Sequence, residues 1–312
     1  MSSATPINWR SLLTSTPAAI AMGNFDGVHA GHRRIFQGLR EEAGRRNFKP
    51  LVLTFDPHPR HFLSPEKKAP LLTPYLEKES LIRDCGVEVI TLSFDADTAG
   101  LSAEDFISEV LLQRLCGEVF FFGPGHRFGK GALGNVDLLR SRFIQLGKTE
   151  SDPVREIAPV IDETGEIISS SSIRRHLEAG HTESANRMLG RNYCLRGEVM
   201  HGEERGRQLG FPTANLKLMD DRKALPAFGV YGGRVFLHDR FVSAIGNIGL
   251  RPTFDGQKKP SVEVHLLDVK EDLYGLELGF EILHYIRPEK AFDSLESLKR
   301  QISSDVAAWK AF

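Results

Sequence analysis

The chain has 312 residues, which is long enough for two domains that each bury a core of their own. Hydrophobic residues make up 41% of it and charged residues 26%, the proportions of an ordinary soluble globular protein. A formal net charge of −1 excludes a global basic field, so we expect neither nucleic acid nor a membrane as a partner.

The start of the chain and its cysteines indicate a compartment. Residues 1–6 lack the charged and apolar regions of a secretory signal, and the apolar runs are far shorter than a membrane span. Cys85, Cys116 and Cys194 are odd in number and widely spaced, which favours neither a disulfide framework nor a zinc site. We therefore expect a cytoplasmic protein with reduced cysteines.

Strand-like and helix-like segments alternate in the first part of the chain, the pattern of a parallel sheet covered by helices. The strand candidates are residues 20–22, 51–55, 87–94 and 119–122. The helix candidates are residues 29–43, 74–85, 102–116 and 135–146. Each crossover carries one helix of normal length, which predicts a doubly wound, Rossmann-like α/β domain with its strand order left open.

Beyond about residue 190, short alternating stretches separated by glycine and proline replace the helices. They are residues 194–200, 230–237, 242–247, 261–267 and 278–286. This pattern predicts an antiparallel β-barrel, closed by a terminal helix over 294–309 that carries an apolar stripe. A polar helical stretch at 177–189 joins the halves, so we predict domains at 1–186 and 187–312.

Residues 23–32 come directly after an apolar run, residues 18–22, that is typical of a buried strand. They begin with a turn that contains glycines. A helix pattern then begins, and His29 and His32 share a face in its first turn. That face lies at the positive end of the helix dipole, which suits a phosphate. The segment resembles the HxGH signature of nucleotidyltransferases, which move AMP from ATP. The glycine turn supplies further candidates for ATP binding: Gly23, Phe25, Asp26 and Gly27.

Three more segments, 54–59, 123–131 and 168–174, lie at the ends of predicted strands or begin a helix, where open α/β sheets bind ligands. Hydroxyl groups and a guanidinium there, with the histidines, can align an attacking phosphate. They can also hold the charge that grows on the α-phosphate and on the departing pyrophosphate. The donors in the last segment are Ser170, Ser171 and Arg174.

Glycines that recur every four residues in the second half let backbone approach a bulky anion. They are Gly202, Gly206 and Gly210. Pro212 then fixes a turn and leaves Thr213 and Asn215 two residues apart on an extended stretch, so both point the same way. A hydroxyl and an amide oxygen placed like this can help to hold Mg²⁺ with nucleotide phosphates and water.

Residues 262–266 alternate, which places Glu263 on the opposite face from the apolar residues beside it. A carboxylate on the inner or rim face of a barrel can accept a hydroxyl proton during phosphoryl transfer. Arg287 and Phe292 are candidates to line the acceptor pocket. Residues 249–253 are typical of a turn.

Together these motifs resemble the bacterial bifunctional riboflavin kinase/FAD synthetase family over nearly the whole chain. Gly-Phe-Pro-Thr-Ala-Asn at 210–215, with Glu-Val-His at 263–265, is specific for the kinase module. Gly-Asn-Phe-Asp-Gly-Val-His at 23–29, with His32, is specific for the adenylyltransferase module. The resemblance implies that riboflavin takes the γ-phosphate of ATP in the barrel, giving FMN. FMN then takes AMP from a second ATP in the N-terminal domain, giving FAD and pyrophosphate.

The resemblance also implies roles for single residues. The implied ATP-phosphate ligands of the N-terminal domain are His29, His32, Ser170, Ser171 and Arg174. Thr213 and Asn215 would hold Mg²⁺-ATP, Glu263 would be the kinase base, and Arg287 lies in the segment expected near the flavin. The implied ligands are riboflavin, FMN, FAD, ATP as co-substrate and Mg²⁺, and the oligomeric state is left open.

The loop at 123–131 departs from the family, which usually reads Gly-x-(Asp or Asn)-Phe-x-Phe-Gly there. Gly125 and His126 replace the polar residue and the phenylalanine, which makes His126 the candidate on the flavin side. Loss of a buried hydrogen bond costs about 1–3 kcal/mol, or one to two decades in rate. Two interpretations stay open: FMN adenylylation is weak, or the loop is rebuilt around His126. Where the family usually reads Ser-Ser-Thr, this chain has Ser-Ser-Ser at 169–171. The serine that replaces the threonine still supplies a hydroxyl group.

Three other functions stay open from the sequence. The first is a riboflavin kinase with a weakened or inactive adenylyltransferase domain. The second is a nucleotidyltransferase for another acceptor, with a barrel used for recognition. The third, from a different class, is a non-catalytic flavin sensor or regulator.

Overall fold

A computed structural model describes residues 5–67, 69–148, 152–201, 210–252 and 258–312. By its internal contacts the chain forms two compact units, Met1–Ser169 and Ser170–Phe312. This boundary lies before the predicted division between residues 186 and 187. That division separates the two activities, and it stays a prediction. No helix in the described ranges is long and apolar enough to cross a membrane.

The N-terminal unit is built around a parallel sheet. Its strands are β1 (Ala18–Met22), β2 (Lys49–Asp56), β3 (Glu88–Ser93), β4 (Gly117–Phe122) and β5 (Val154–Glu156). Its helices are α1 (Ala30–Arg46), α2 (Pro59–Leu63), α3 (Tyr75–Arg83), α4 (Ala96–Gly100), α5 (Ala103–Asp105), which continues as a π-helix over Phe106–Arg114, and α6 (Val136–Gln145). Short 3₁₀ turns lie at Trp9–Ser11, Pro65–Lys67 and Lys130–Ala132.

The strand order is β3-β2-β1-β4-β5, and the paired strands are parallel. Strand β1 is buried on both faces. Ile20 and Met22 pack into the core on one side of the sheet, and Ala19 and Ala21 pack on the other. The chain leaves β1 toward β2 and later returns to its other side as β4, so the strand order reverses between β1 and β4. The predicted parallel α/β fold is confirmed.

The C-terminal unit begins with two helices, α7 (Ser170–Glu178) and α8 (Thr182–Leu189). Its strands are β6 (Tyr193–Met200), β7 (Ala214–Leu218), β8 (Gly229–Leu237), β9 (Arg240–Pro252), β10 (Lys258–Leu266) and β11 (Glu277–Pro288). They close in the order β10-β7-β6-β11-β8-β9, with antiparallel pairing throughout. The predicted barrel is confirmed.

One segment differs from its prediction. Residues 249–252 belong to β9, which pairs with β10 from Ala244 to Pro252, so the prediction of a turn there is wrong; residue 253 lies outside the described part. Glycine fits this strand because Glu289 crosses it closely: a Cβ at Gly249 would lie 1.8 Å from Glu289 Oε1. The glycine marks a close approach, not a turn.

Helices pack against the barrel at both ends of this unit. Asn186 of α8 donates to the Ile282 carbonyl and accepts from the Tyr193 amide, each at 2.8 Å. The terminal helix α9 (Leu295–Ala311) lays the Trp309 ring over Gly232, where a Cβ would lie only 2.2 Å from the indole. The residues predicted to join the halves are therefore part of the barrel unit.

Candidate functional site

The first candidate site lies at the carboxyl end of β1, where the strand order reverses and open α/β sheets bind ligands. The turn after β1 uses the left-handed region at Phe25 (φ 50°), Gly27 (φ 90°) and Val28 (φ 42°). Such a φ is strained for a β-branched residue, and Val28 is fully buried. Strain that the surrounding structure holds in place is typical of a functional turn.

Two packing contacts fix the turn from inside. The Phe25 ring lies across Gly23, where a Cβ would stand 3.0 Å from Cζ. It also meets the Phe36 ring of α1 edge-on, at 4.9 Å between centroids. Gly23 is thus required for the close approach of a ring, and Phe25, buried at 4% exposure, acts as an internal support.

Asp26 anchors the turn to a distant segment. Its buried carboxylate accepts from the backbone N–H of Leu72 (3.2 Å) and of Thr73 (3.0 Å). In return, the Gly27 N–H donates to Thr73 Oγ1 at 2.8 Å. These bonds make Asp26 a support of the turn, and its role in ATP binding stays a prediction. Thr73 was missed, since nothing local in the sequence marks a partner 46 residues away.

The two histidines meet at the start of α1. His29 is the N-cap residue, and its Nδ1 accepts from the His32 N–H at 3.4 Å. The two rings stack with centroids 3.6 Å apart. Gly31 makes room for this arrangement, because a Cβ there would lie 3.1 Å from two atoms of the His29 ring. A stacked imidazole pair at a helix N-terminus suits an anion.

A buried lysine that the sequence did not single out contacts the end of β2. Lys78 of α3 donates to Thr54 Oγ1 (3.1 Å) and to the Phe55 carbonyl (3.0 Å). Thr54 Oγ1 donates to the Asn24 carbonyl at 3.2 Å, which ties β2 to the turn after β1. Nearby, burial and the Glu79 carboxylate raise the pKa of Tyr75 to about 12.

The loop after β4 is built around His126. Its ring stacks on Phe122, with centroids 4.9 Å apart and planes at 23°, and lies 6.3 Å from the Phe128 ring. Burial lowers the pKa of His126 to about 4, because the charged imidazolium loses its hydration. The imidazole is therefore neutral near pH 7, and it packs between aromatic rings as a phenylalanine side chain would. Of the two open interpretations, this geometry favours a rebuilt loop.

The remaining phosphate candidates of the first site lie on α7. Ser170 and Ser171 begin the helix, and Arg174 follows one turn later. By its contacts this helix belongs to the C-terminal unit, where it packs with α8. Their role as ATP ligands stays a prediction.

The second candidate site lies on neighbouring strands of the barrel. Glu263 of β10 stands directly opposite Asn215 of β7, and Asn247 of β9 flanks it on the other side. Val262 and Val264 are buried, so Glu263 and Asn215 share the more exposed face, as the alternation predicted. Cβ atoms of such opposed residues lie about 4.5–5.5 Å apart, within reach of one ligand.

One guanidinium joins these side chains. Arg251 donates from Nε to Glu263 Oε1 at 3.0 Å and from Nη2 to Asn215 Oδ1 at 2.5 Å. Sequence reasoning missed Arg251 because its segment read as a turn. The signal that marks it is positional: it lies on the strand that borders Glu263.

A cavity of about 400 Å³ lies beside Asn215, and its wall includes the buried residues Ala214, Val264 and Leu266 of the opposite strand face; Glu263 is not among the described residues that line it. Thr213 and Asn215 line it beside Pro212, whose carbonyl accepts from His265 Nδ1 at 2.7 Å. The Tyr274 ring also lines the cavity and stacks on His201, 3.7 Å between centroids. Of the glycine triplet, Gly210 has φ 87°. Gly202 and Gly206 lie outside the described residues.

The donors at this cavity fit Mg²⁺ bound together with a nucleotide. A threonine hydroxyl and an asparagine oxygen are hard ligands, and Mg²⁺ usually takes few protein ligands and completes its shell with phosphates and water. Within the described ranges, no three His, Cys, Asp or Glu side chains form a metal cluster. The role of Thr213 and Asn215 as ligands of this ion stays a prediction.

Arg287 is engaged by the terminal helix. Its guanidinium donates to both oxygens of Asp305, at 3.0 Å from Nε to Oδ1 and 2.8 Å from Nη2 to Oδ2, and Asp305 is buried. It also lies 5.8 Å from the centroid of the Phe292 ring. These contacts fasten α9 to β11, and the flavin role of Arg287 and Phe292 stays a prediction.

Two family models match the chain. The model for FAD synthetase matches residues 13–172, and the model for riboflavin kinase matches residues 189–312. The first match covers the histidine turn and ends within α7, and the second covers all the barrel strands.

Curated relatives match along nearly the whole chain. The bifunctional riboflavin kinase/FMN adenylyltransferase of Escherichia coli (strain K12) is 37% identical over 295 residues, which is 94% of this chain and 92% of that protein. The protein of the same description from Pseudomonas fluorescens is 37% identical over 93% of this chain and 91% of its own length. The one from Bacillus subtilis (strain 168) is 34% identical over 92% and 90%.

A solved structure from Streptococcus pneumoniae, described as a macrolide-efflux protein, matches with a TM-score of 0.87 at 29% identity. The match covers 99% of both chains. That description belongs to the other protein, and what the two chains share is the fold of both units.

Proposed function

Because this chain belongs to the bifunctional riboflavin kinase/FMN adenylyltransferase family and catalyses both reactions, we propose that each reaction has its own site. Phosphorylation of riboflavin by ATP is assigned to the barrel, and adenylylation of FMN to the sheet-bearing domain, with the division at residues 186 and 187. The observation that carries this proposal is the presence of two separate constellations suited to phosphate chemistry, the His29–His32 stack and the Asn215–Glu263 pair.

In the barrel, Glu263 accepts the proton of the riboflavin hydroxyl as that oxygen attacks the γ-phosphorus of ATP. The bond from the γ-phosphorus to the bridging oxygen breaks, and ADP leaves. The nucleotide lies in the cavity beside Thr213 and Asn215. Mg²⁺, when bound there with the nucleotide, neutralises phosphate charge. Gly210 approaches the phosphates, and Arg287 and Phe292 border the flavin.

In the N-terminal domain, the attacking FMN phosphate already carries charge, so no strong base is needed. His29 and His32 donate to the phosphates of ATP at the start of α1. The buried turn of Phe25 and Asp26 keeps both histidines in place before ATP arrives, which lowers the entropy lost on binding. His126 offers an aromatic surface to the flavin. We also propose a cytoplasmic location, because both reactions consume ATP.

One incubation tests the assignment. Purified protein is supplied with riboflavin, ATP and Mg²⁺, and the products are separated by chromatography. FMN and FAD should both form, and neither should form when EDTA removes the metal. Absence of FMN would reject the kinase site, and FMN without FAD would favour a kinase with an inactive adenylyltransferase domain.

A further inference from the structure

Arg251 on β9 joins the two barrel residues to which the proposed kinase reaction gives different tasks. Nε and Nη2 both contact Glu263 Oε1, at 3.0 and 2.5 Å, and Nη2 also donates to Asn215 Oδ1 at 2.5 Å. One cation thus holds an oxygen of the proposed base and the oxygen of the proposed Mg²⁺ ligand.

The register of the strands shows why an arginine is needed for this bridge. Asn247, and not Arg251, lies opposite Glu263, while Arg251 lies opposite Lys259 at the far end of the pairing. The guanidinium reaches the carboxylate diagonally along the face of the barrel, and its planar fork contacts two acceptors at once. A lysine at 251 would carry the charge as a point donor without that fork.

We propose that Arg251 is a positioning residue that holds Asn215 and Glu263 until Mg²⁺-nucleotide binds, and that it competes with Mg²⁺ for Asn215 Oδ1. This proposal rests on the kinase assignment above. A divalent ion coordinated at about 2.1 Å by the same oxygen would stand next to the guanidinium, and the two cations repel. Binding of the metal therefore requires Arg251 to release Asn215.

After that release, Arg251 retains Glu263. Its contacts fall on Oε1, so Oε2 is the oxygen we assign to the hydroxyl proton of the flavin. The bond to Oε1 fixes the rotation of the carboxylate and aims Oε2 at the acceptor. Removal of Arg251 then has two effects of opposite sign, tighter metal binding and slower phosphoryl transfer.

The experiment compares full-length wild type with Arg251→Gln, Arg251→Lys and a matched control, Arg234→Gln. Arg234 pairs with Glu281 of the same barrel at 2.8 Å, and side-chain exposure is alike in the two pairs: 38% and 26% there, against 36% and 26% for Arg251 and Glu263. Calorimetry measures ADP binding as a function of Mg²⁺ concentration. The part of ADP binding that is lost in Asn215→Ala is assigned to the barrel site.

We expect Arg251→Gln to lower the half-saturating Mg²⁺ concentration about 3- to 10-fold and to lower kcat for FMN formation about 10- to 100-fold. Arg251→Lys should recover part of kcat, and Arg234→Gln should change neither quantity. A half-saturating Mg²⁺ concentration that is unchanged or raised in Arg251→Gln would overturn the proposal, as would an unchanged kcat. If wild type itself forms no FMN, the kinase assignment fails instead.

Discussion

In the N-terminal domain the two histidines stand on a turn that is almost wholly buried, whereas Asn215 and Glu263 stand on the more exposed face of barrel strands. The turn is held by strained backbone, by the Phe25 ring and by the carboxylate of Asp26. The barrel pair is held by regular strand pairing and by one guanidinium. We assign both arrangements to ATP chemistry, yet one relies on packing and the other on charge.

The difference predicts how each site responds to change. A site built on a buried turn should lose stability and activity together when a support is removed. A site on paired strands should lose activity while its fold survives, because the ladder of backbone bonds does not depend on the exposed side chains.

The largest effect is expected for Glu263→Gln. Loss of a general base should lower kcat for FMN formation about 10²- to 10⁴-fold, while FAD formation from supplied FMN stays at the wild-type rate. The melting temperature should change little, since the side chain is partly exposed. Chromatographic assay of each product measures both rates, and Glu281→Gln, a carboxylate with a similar arginine partner, should retain both activities.

His32→Ala should give the reverse pattern. Removal of one donor to developing phosphate charge should lower FAD formation from FMN about 10²-fold, with FMN formation from riboflavin unchanged. The same two assays serve as the measurement. Equal loss of both products would contradict the division of the activities between two sites.

Asp26→Ala tests the support of the turn. Two buried N–H groups lose their acceptor, so we expect a loss of about 2–3 kcal/mol in the free energy of unfolding and at least a tenfold fall in FAD formation. Denaturant titration and the FAD assay measure the two quantities. Asp95→Ala, which removes the cap acceptor of Thr98 in the same unit, should cost about 1 kcal/mol and leave FAD formation intact. Unchanged stability in Asp26→Ala would reject the anchor.

The smallest effect concerns the pH response of His126. Its pKa in the folded protein is about 4, below the ordinary 6.5. Between these two values the unfolded chain binds a proton at His126 and the folded chain does not. Stability supplied by the neutral ring is complete above pH 6.5 and is lost as the pH falls toward 4. His126→Phe should remove about 1–2 kcal/mol of the acid loss between pH 7 and 4.5, measured by denaturant unfolding. An identical acid loss in both proteins would contradict this assignment, and His126→Phe should keep FAD formation within about threefold.

The sequence predicted those parts of the molecule in which local pattern and tertiary role agree. Strand β1, its glycine turn and α1 follow one another in the chain, and alternation alone identified the face that carries Glu263. The anchor between Asp26 and Thr73 was beyond reach because it depends on how distant segments fold together. Strand β5 was missed because it has three residues, too few for a periodic pattern.

Arg251 shows a different limit. A glycine and a proline near an arginine are typical of a turn, but here the glycine admits the side chain of Glu289 against a continuous strand. Local composition cannot separate these two uses of glycine. The role of Arg251 follows from the register with β10, which only the folded barrel provides.

The most direct test of two separate sites is a crossed assay with Glu263→Gln and His32→Ala. Each variant alone should make almost no FAD from riboflavin and ATP, the first for lack of FMN and the second for lack of adenylylation. A mixture of the two proteins should restore FAD formation, because FMN made by one is adenylylated by the other. If the mixture forms no more FAD than the separate variants, although each keeps its remaining activity, the two reactions do not have independent sites.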